Sequence, residues 1–140
     1  MNSESGAART VRRVVAGLPA GHDALWLTRF AKERGPAGVL HVASDRDRLA
    51  RTAACAAFFA PEVEVLVLPP WDCAPYDRVS PSPAVSAERV ATLVRLLEPA
   101  EGPRLVLTSP LGLLRRLPRR DDLAGALRTL RIGEPLEEQD

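Results

Sequence analysis

The sequence predicts an α/β fold with an open, mostly parallel sheet and helices on both faces. Three short apolar segments are the first reason: GVLHVAS (38–44), EVEVLVLP (62–69) and RLVLTSP (104–110). Each segment is mostly apolar on both sides, which is typical of parallel strands covered on both faces. Segments with helical periodicity separate them, and this alternation predicts right-handed βαβ crossovers.

Two helices are predicted before the second strand, from the spacing of their apolar residues. They are DALWLTRFAKER (23–34) and SDRDRLARTAACAAFFA (44–60). The second opens on Ser44, which we predict as its N-cap because a hydroxyl there can accept a helix N–H. The expected buried stripes are Leu27, Phe30 and Ala31 in the first helix, and Leu49, Ala53, Ala56 and Ala60 in the second.

Two further helices are predicted, SAERVATLVRLLE (86–98) and the short LGLLRRL (111–117). The first would be capped by Ser86, with its apolar stripe at i, i+3, i+4 and i+7. That stripe consists of Val90, Leu93, Val94 and Leu97. Two segments stay open: TVRRVVAGL (10–18) fits a helix end or a short strand, and ALRTLRIGEPL (126–136) fits a final strand.

Composition excludes several functional classes. A chain of 140 residues with 19 basic and 18 acidic side chains lacks the basic excess of a dedicated nucleic-acid-binding module. Cys55 and Cys73 have no His or Cys at metal-ligand spacing, so we predict no metal site. No apolar run reaches the length of a membrane span and the N-terminus has no signal core, which predicts a cytoplasmic protein with no membrane contact.

A loop in the position of a phosphate-binding motif precedes the first helix. AGLPAGHDA (16–24) keeps Gly17 and Gly21, but His22 stands where a Walker A motif needs lysine and Asp23 where it needs a hydroxyl. A carboxylate there has the wrong sign for phosphate. We therefore predict a turn with Asp23 near the helix N-terminus, and no catalytic or cofactor-binding residue.

Histidine and arginine offer two other candidate sites. His41 lies in a strand with apolar neighbours, which favours a satisfied core or rim histidine over a catalytic base. Within LLRRLPRRDD (113–122) an arginine cluster could contact a phosphate backbone. Asp121 and Asp122 follow at once, which favours a self-neutralising surface. The weak nucleic-acid candidates are Arg115, Arg116, Arg119 and Arg120.

The least generic stretch is LPPWDCAPYDRVSPSPAVSAER (68–89). Pro69 and Pro70 end the preceding strand by removing backbone donors, and Trp71 supplies a large apolar anchor. About 16 residues then precede Ser86, and loops of this length without secondary structure are usually functional. Its acidic residues have no fixed spacing that would identify an acid/base pair.

This stretch resembles the N-terminal region of bacterial transcription-repair coupling factors, the Mfd family. In that family a strand ends in a Pro- and Tyr-Asp-containing segment, followed by Ser-Pro and by a helix with the pattern R-x-x-x-L. The matching residues are Pro70, Trp71, Pro75, Tyr76, Asp77, Ser80, Pro81, Arg89 and Leu93. The similarity runs from about residue 10 to the C-terminus, and the order of the strands and of the degenerate loop agrees with it.

The resemblance implies a fold similar to the first domain of UvrB, a helicase-type α/β domain. Two departures imply that its chemistry is lost. Arg78 and Val79 replace the aromatic residues that follow the Tyr-Asp pair in UvrB, and the short spacing to Ser86 leaves no room for its DNA-clamping hairpin. The loop at 16–24 is also no working Walker A motif. The eight signature residues Pro70 to Arg89 are therefore expected to be structural.

The resemblance further implies a non-catalytic scaffold segment, with a flexible N-terminus at 1–10, a UvrB-like segment at 11–133 and a connection at 134–140. Full-length members are ATP-dependent double-stranded DNA translocases that displace stalled RNA polymerase and recruit UvrA for nucleotide excision repair. ATP, Mg²⁺, UvrA, RNA polymerase and DNA would all be bound by regions absent here, so we expect an incomplete domain whose partners are other domains of the same protein. The alternative is a stand-alone α/β nucleotide- or phosphate-binding enzyme.

Overall fold

Three parallel strands form the sheet of the computed structural model, which describes residues 12, 14–73, 78, 80–128 and 133. They are β1 (Val39–Val42), β2 (Glu64–Leu68) and β3 (Arg104–Thr108), in the order β1-β3-β2. The predicted α/β class and its parallel sheet are confirmed. The predicted terminal segments at 1–10 and 134–140 lie outside the described residues.

Within the described residues, five α-helices accompany the strands: α1 (His22–Arg34), α2 (Arg46–Phe59), α3 (Pro83–Leu97), α4 (Pro110–Leu113) and α5 (Arg120–Ala126), with a 3₁₀ turn at Gly35–Ala37. The N-cap of α2 is Asp45 rather than the predicted Ser44. The Asp45 carboxylate accepts the backbone N–H of Arg48 at 2.8 Å, while the Ser44 hydroxyl donates to that carboxylate at 2.7 Å. A charged acceptor at the positive end of a helix is favoured over a hydroxyl.

The N-cap of helix α3 lies four residues before the predicted cap at Ser86. Its N-cap is Ser82, whose hydroxyl accepts the N–H of Val85 at 3.3 Å, and Pro83 occupies the first helical position. Proline is well suited there because its missing N–H would have no helical partner. The run of prolines therefore overlaps the helix start instead of lengthening the loop.

The remaining elements also differ from the predictions. Helix α4 ends at Leu113 instead of continuing to residue 117, and α5 was not predicted. The described residues of 10–18 belong to neither a helix nor a strand. Most of 126–136, the possible final strand, lies outside the described residues.

The core lies between α1, α2 and one face of the sheet. Leu105 and Leu107 of the central strand are 0% exposed, and alanine-rich faces of the two helices pack on them and on each other. The buried cluster comprises Ala24, Leu27, Ala31, Ala43, Leu49, Ala56, Ala60, Val63, Leu105 and Leu107. Of the predicted stripe residues, Ala53 packs against this cluster while only partly buried.

Helix α3 lies along the outer edge of β2. The N–H of Glu64 donates to Pro103 of the β3 side, so alternate residues such as Val67 and Pro69 direct their backbone groups away from β3. The hydroxyl of Thr92 donates to the Val67 carbonyl at 2.5 Å, and the Arg89 guanidinium donates to the Pro69 carbonyl. The two residues of α3 thus satisfy the exposed carbonyls of an edge strand.

This arrangement corrects part of the predicted face of α3. The helix buries Val85, Arg89 and Thr92. Of the predicted apolar stripe, Val90 is 50% exposed, and the other three residues are half-buried: Leu93, Val94 and Leu97. The helix turns a partly polar face inward because the edge of β2 offers carbonyl acceptors.

The second face of the sheet is covered only in part. Val39 and Ala43 face the core, so Leu40 and Val42 point to the opposite side, where they are 57% and 43% exposed. Within the described ranges, no helix covers this side of β1. Helices therefore cover both faces of the sheet more fully near β2 than near β1.

Candidate functional site

The loop before α1 forms a tight turn against α2. Gly21 has φ 84°, a left-handed conformation that favours glycine, and it is the N-cap of α1 without any side-chain cap. The N–H of His22 donates to the Pro19 carbonyl at 3.1 Å. The imidazole of His22 is exposed, whereas a Walker A lysine would reach back over the loop.

Asp23 occupies the position where an anion would bind at the N-terminus of α1. Its Oδ1 accepts the N–H of Ala24 at 2.9 Å, and its Oδ2 accepts a hydrogen bond from Arg48 Nη2 at 3.0 Å. A bound phosphate would use groups of these two kinds, a helix N–H and a guanidinium. The chain thus supplies its own carboxylate to both.

A cavity of about 350 Å³ opens between this loop and α2. Its lining consists of Leu18, Ala20, Gly21, Asp23, Asp45, Asp47, Arg48, Arg51, Thr52 and Cys55. Three aspartates against two arginines leave the lining with a formal charge of −1, and one of the arginines is already paired with Asp23. The cavity therefore disfavours a polyphosphate.

His41 lies on the core-facing side of β1, near this cavity. Its Nε2 is buried and has no hydrogen-bond partner in the part of the chain that the structure describes. Burial lowers the pKa of His41, and the nearby charges of Asp23 and Arg48 act in opposite directions. This location agrees with the predicted core or rim position of His41. The prediction that its imidazole is fully hydrogen-bonded is not met at Nε2 within the described residues.

Three of the described signature residues lie at the end of β2: Pro70, Trp71 and Arg89. Pro70 is buried, and the Arg89 guanidinium lies 4.6 Å from the centre of the Trp71 ring. Ser80 is exposed and Pro81 half-buried, while Pro75, Tyr76 and Asp77 lie outside the described residues.

Asp72 ties this loop to the start of α3. Its two carboxylate oxygens accept the N–H of Ser82 at 3.1 and 3.3 Å. Hydrogen bonds from Ser82 lower the pKa of Asp72 below its ordinary value. Ser82 thus caps α3 through its hydroxyl and holds the preceding loop through its N–H.

The four candidate arginines differ in their local surroundings. Arg120 donates to the carbonyls of Leu96 and Leu97 at the C-terminus of α3, where a cation is favoured by the helix dipole. Arg119 is the N-cap residue of α5. Arg115 is half-buried and Arg116 is exposed.

Sequence reasoning missed a charged network at the amino ends of β2 and β3. Arg104, 7% exposed, donates to Glu64 at 2.6 Å, and Arg95 of α3 donates to the same carboxylate. Burial would raise the pKa of Glu64, but the hydrogen bonds from Arg104 and Arg95 lower it. Partners 31 and 40 residues apart leave no local signal in the sequence.

Nothing among the described residues groups three His, Cys, Asp or Glu side chains in a way that could hold a metal ion. The helices in the described part of the chain are all too short or too polar to cross a membrane.

Comparison with known proteins gives two curated relatives, both transcription-repair-coupling factors. The protein from Rickettsia prowazekii (strain Madrid E) is 28% identical over 95 residues, which cover 68% of this chain and 8% of the relative. The protein from Rickettsia bellii (strain RML369-C) is 36% identical over 69 residues, which cover 49% of this chain and 6% of the relative. The chain thus spans less than a tenth of either relative.

No protein-family model matches the chain, and no solved structure matches it. Both relatives are transcription-repair-coupling factors, and this is the family that the stretch at 68–89 resembles. The chain is therefore similar to a segment of transcription-repair-coupling factors.

Proposed function

We propose that this chain is a UvrB-like, non-catalytic scaffold segment of a transcription-repair coupling factor. Its similarity to a small part of two such proteins supports the family, and the α/β fold agrees with a helicase-type domain. Translocation on double-stranded DNA, displacement of stalled RNA polymerase and recruitment of UvrA would belong to other regions of the whole protein.

The observation that carries the non-catalytic part is the position of Asp23. A nucleotide phosphate at the N-terminus of α1 would have to displace the Asp23 carboxylate from the Ala24 N–H and from Arg48. The free carboxylate would then repel the phosphate at short range. The residue directly after Gly21 is His22, so no lysine at that position offsets the repulsion.

A scaffold role also fits the exposed apolar surface. Leu40 and Val42 lie on the open side of the sheet, and Phe58 at the end of α2 is 81% exposed. Exposed apolar groups of this size favour contact with other protein surfaces. Neighbouring domains of the same protein are the partners that the proposal implies.

Equilibrium dialysis of the chain with labelled ATP and Mg²⁺ tests the loss of nucleotide binding. We expect no saturable binding, and Asp23→Asn serves as a matched variant that keeps the shape of the side chain but removes its charge. Micromolar binding by the unaltered chain, abolished by changes within 16–24, would overturn the proposal. That result would favour the alternative, a nucleotide- or phosphate-binding enzyme.

A chimera tests the assignment to the family. This chain would replace the matching segment of a transcription-repair-coupling factor, and repair of the transcribed strand would be measured in cells. We expect preferential repair of that strand to be retained. A chimera that folds and is expressed normally, yet repairs both strands at the same rate, would contradict the assignment.

A further inference from the structure

We propose that Arg89 and Arg115 form a binding site for an oxyanion of the phosphate class at the carboxyl end of β2 and β3. The inference concerns a surface other than the cavity beside Asp23. It does not depend on the proposed scaffold role.

Among the residues that the structure describes, no carboxylate pairs with the buried Arg89 guanidinium. Arg89 is 2% exposed, and in the described part of the chain its contacts are a hydrogen bond to the Pro69 carbonyl and the face of Trp71. Removing a charge from water costs several kcal/mol, so buried cations are normally paired with an anion. Arg104 shows the usual solution, since it is 7% exposed and pairs with Glu64 at 2.6 Å.

The positive charge of a second guanidinium, that of Arg115, acts on the first. Burial lowers the pKa of Arg89, and the positive charge of Arg115 lowers it further. Two cations that repel each other, and that pair with no carboxylate in the described part of the chain, form an electrostatic site for an anion. A bound oxyanion would relieve the repulsion and accept hydrogen bonds from both.

The close packing of α4 brings Arg115 to this place. Gly112 lies so near the ends of β2 and β3 that a Cβ would overlap the Thr108 hydroxyl and lie 3.2 Å from the Leu68 carbonyl. Arg115 follows two residues after α4 ends at Leu113 and is therefore held near the same end of the sheet. Ligands of open α/β sheets bind at this carboxyl end.

The donors present favour phosphate over carboxylate. A single guanidinium fork already matches a planar carboxylate, whereas a tetrahedral phosphate can take bonds from two guanidinium groups in different planes. Ser109, the residue after β3, is 2% exposed and its hydroxyl has no partner within the described ranges. It is a spare donor at the same end of the sheet.

Fluorescence of Trp71 reports binding next to Arg89, in a Trp26→Phe background that leaves Trp71 as the remaining tryptophan. The chain is titrated with inorganic phosphate, and with chloride at equal ionic strength. We expect a saturable change with phosphate that is weakened at least about tenfold by Arg115→Gln. Arg116→Gln removes one exposed positive charge nearby and is expected to leave the phosphate affinity within about twofold.

Arg89→Lys keeps the buried charge but loses the guanidinium fork, and is expected to weaken phosphate binding as well. Arg115 is half-buried, so its variant keeps the test valid even where a change at Arg89 prevents folding. Equal responses to phosphate and chloride, or equal losses in the Arg115 and Arg116 variants, would overturn the site.

A second titration with a short DNA duplex at low salt identifies the source of the phosphate. Duplex binding that Arg115→Gln weakens more than Arg116→Gln indicates a nucleic-acid backbone. A response to inorganic phosphate without duplex binding indicates a small phosphorylated compound. Absence of both responses would refute the proposal.

Discussion

Replacement of Gly112 by alanine should destabilise the chain by about 2 kcal/mol, although alanine is the better helix former. The new Cβ would overlap the Thr108 hydroxyl, which is fully buried and donates to the Leu68 carbonyl at 2.8 Å. Neither group can move freely, because the hydroxyl is fixed by that bond and the carbonyl belongs to β2. Relief of the overlap therefore requires α4 to move or the hydrogen bond to break.

The magnitude follows from three contributions. Overpacking in a buried position costs about 1–3 kcal/mol. Loss of the Thr108 hydrogen bond costs about 1 kcal/mol more, while the helix propensity of alanine returns at most about 1 kcal/mol. A net loss of about 2 kcal/mol lowers Tm by roughly 5–10 °C in a domain of this size.

Urea denaturation followed by circular dichroism measures the change, with Gly125→Ala as the control. Gly125 lies in α5 and has open space where a Cβ would be, so that variant should be neutral or slightly more stable. Thr108→Ala should remove most of the extra cost of alanine at 112 in a double-mutant cycle. A Gly112 variant as stable as the parent, or two glycine variants that shift together, would refute this account of α4.

The remaining predictions concern polar contacts. Thr92→Val leaves an edge carbonyl of β2 without its donor and should lower the free energy of unfolding by about 1–2 kcal/mol. Urea denaturation measures this change. An unchanged midpoint would contradict the role of Thr92 as a donor to the edge of β2. Hydrogen bonds from Ser82 lower the pKa of Asp72, so the stabilisation from these bonds is present above about pH 4 and is lost in more acidic solution. Asp72→Asn should therefore lower Tm at neutral pH and lower it less at pH 3. Equal shifts of Tm at both pH values would contradict this role of Asp72. Burial lowers the pKa of His41, so stability should fall as the pH drops below about 6.5, where the unfolded chain takes up the proton first. His41→Gln should flatten that dependence, and His22→Gln, at an exposed position, should not.

The sequence was sufficient for the class of fold because the evidence for it is local. Each strand is an apolar run whose length and flanking residues identify it. The central position of β3 was not predictable from these runs, because it depends on how the crossovers return over the sheet. The fully buried residues of α3 were missed because apolar periodicity ignores hydrogen bonds such as that from Arg89 to a carbonyl 20 residues away.

The candidate sites show the same limit. The mismatch at His22 and Asp23 could be read directly, since a Walker A motif is contiguous. The pairing of Asp23 with Arg48, 25 residues away, depends on the packing of α1 against α2. The lack of a carboxylate partner for Arg89 among the described residues was likewise hidden, because the sequence does not show which side chains are paired after folding.

The position of α3 blocks the β2 edge of the sheet against pairing with a further strand. Thr92 and Arg89 already occupy the outward carbonyls of Val67 and Pro69, and Pro69 has no N–H to offer a neighbouring strand. The outer edge of β1 carries no such helix among the described residues, and its Leu40 and Val42 provide an apolar surface beside it. A further strand, from this chain or from another, would therefore join the sheet at Val39–Val42.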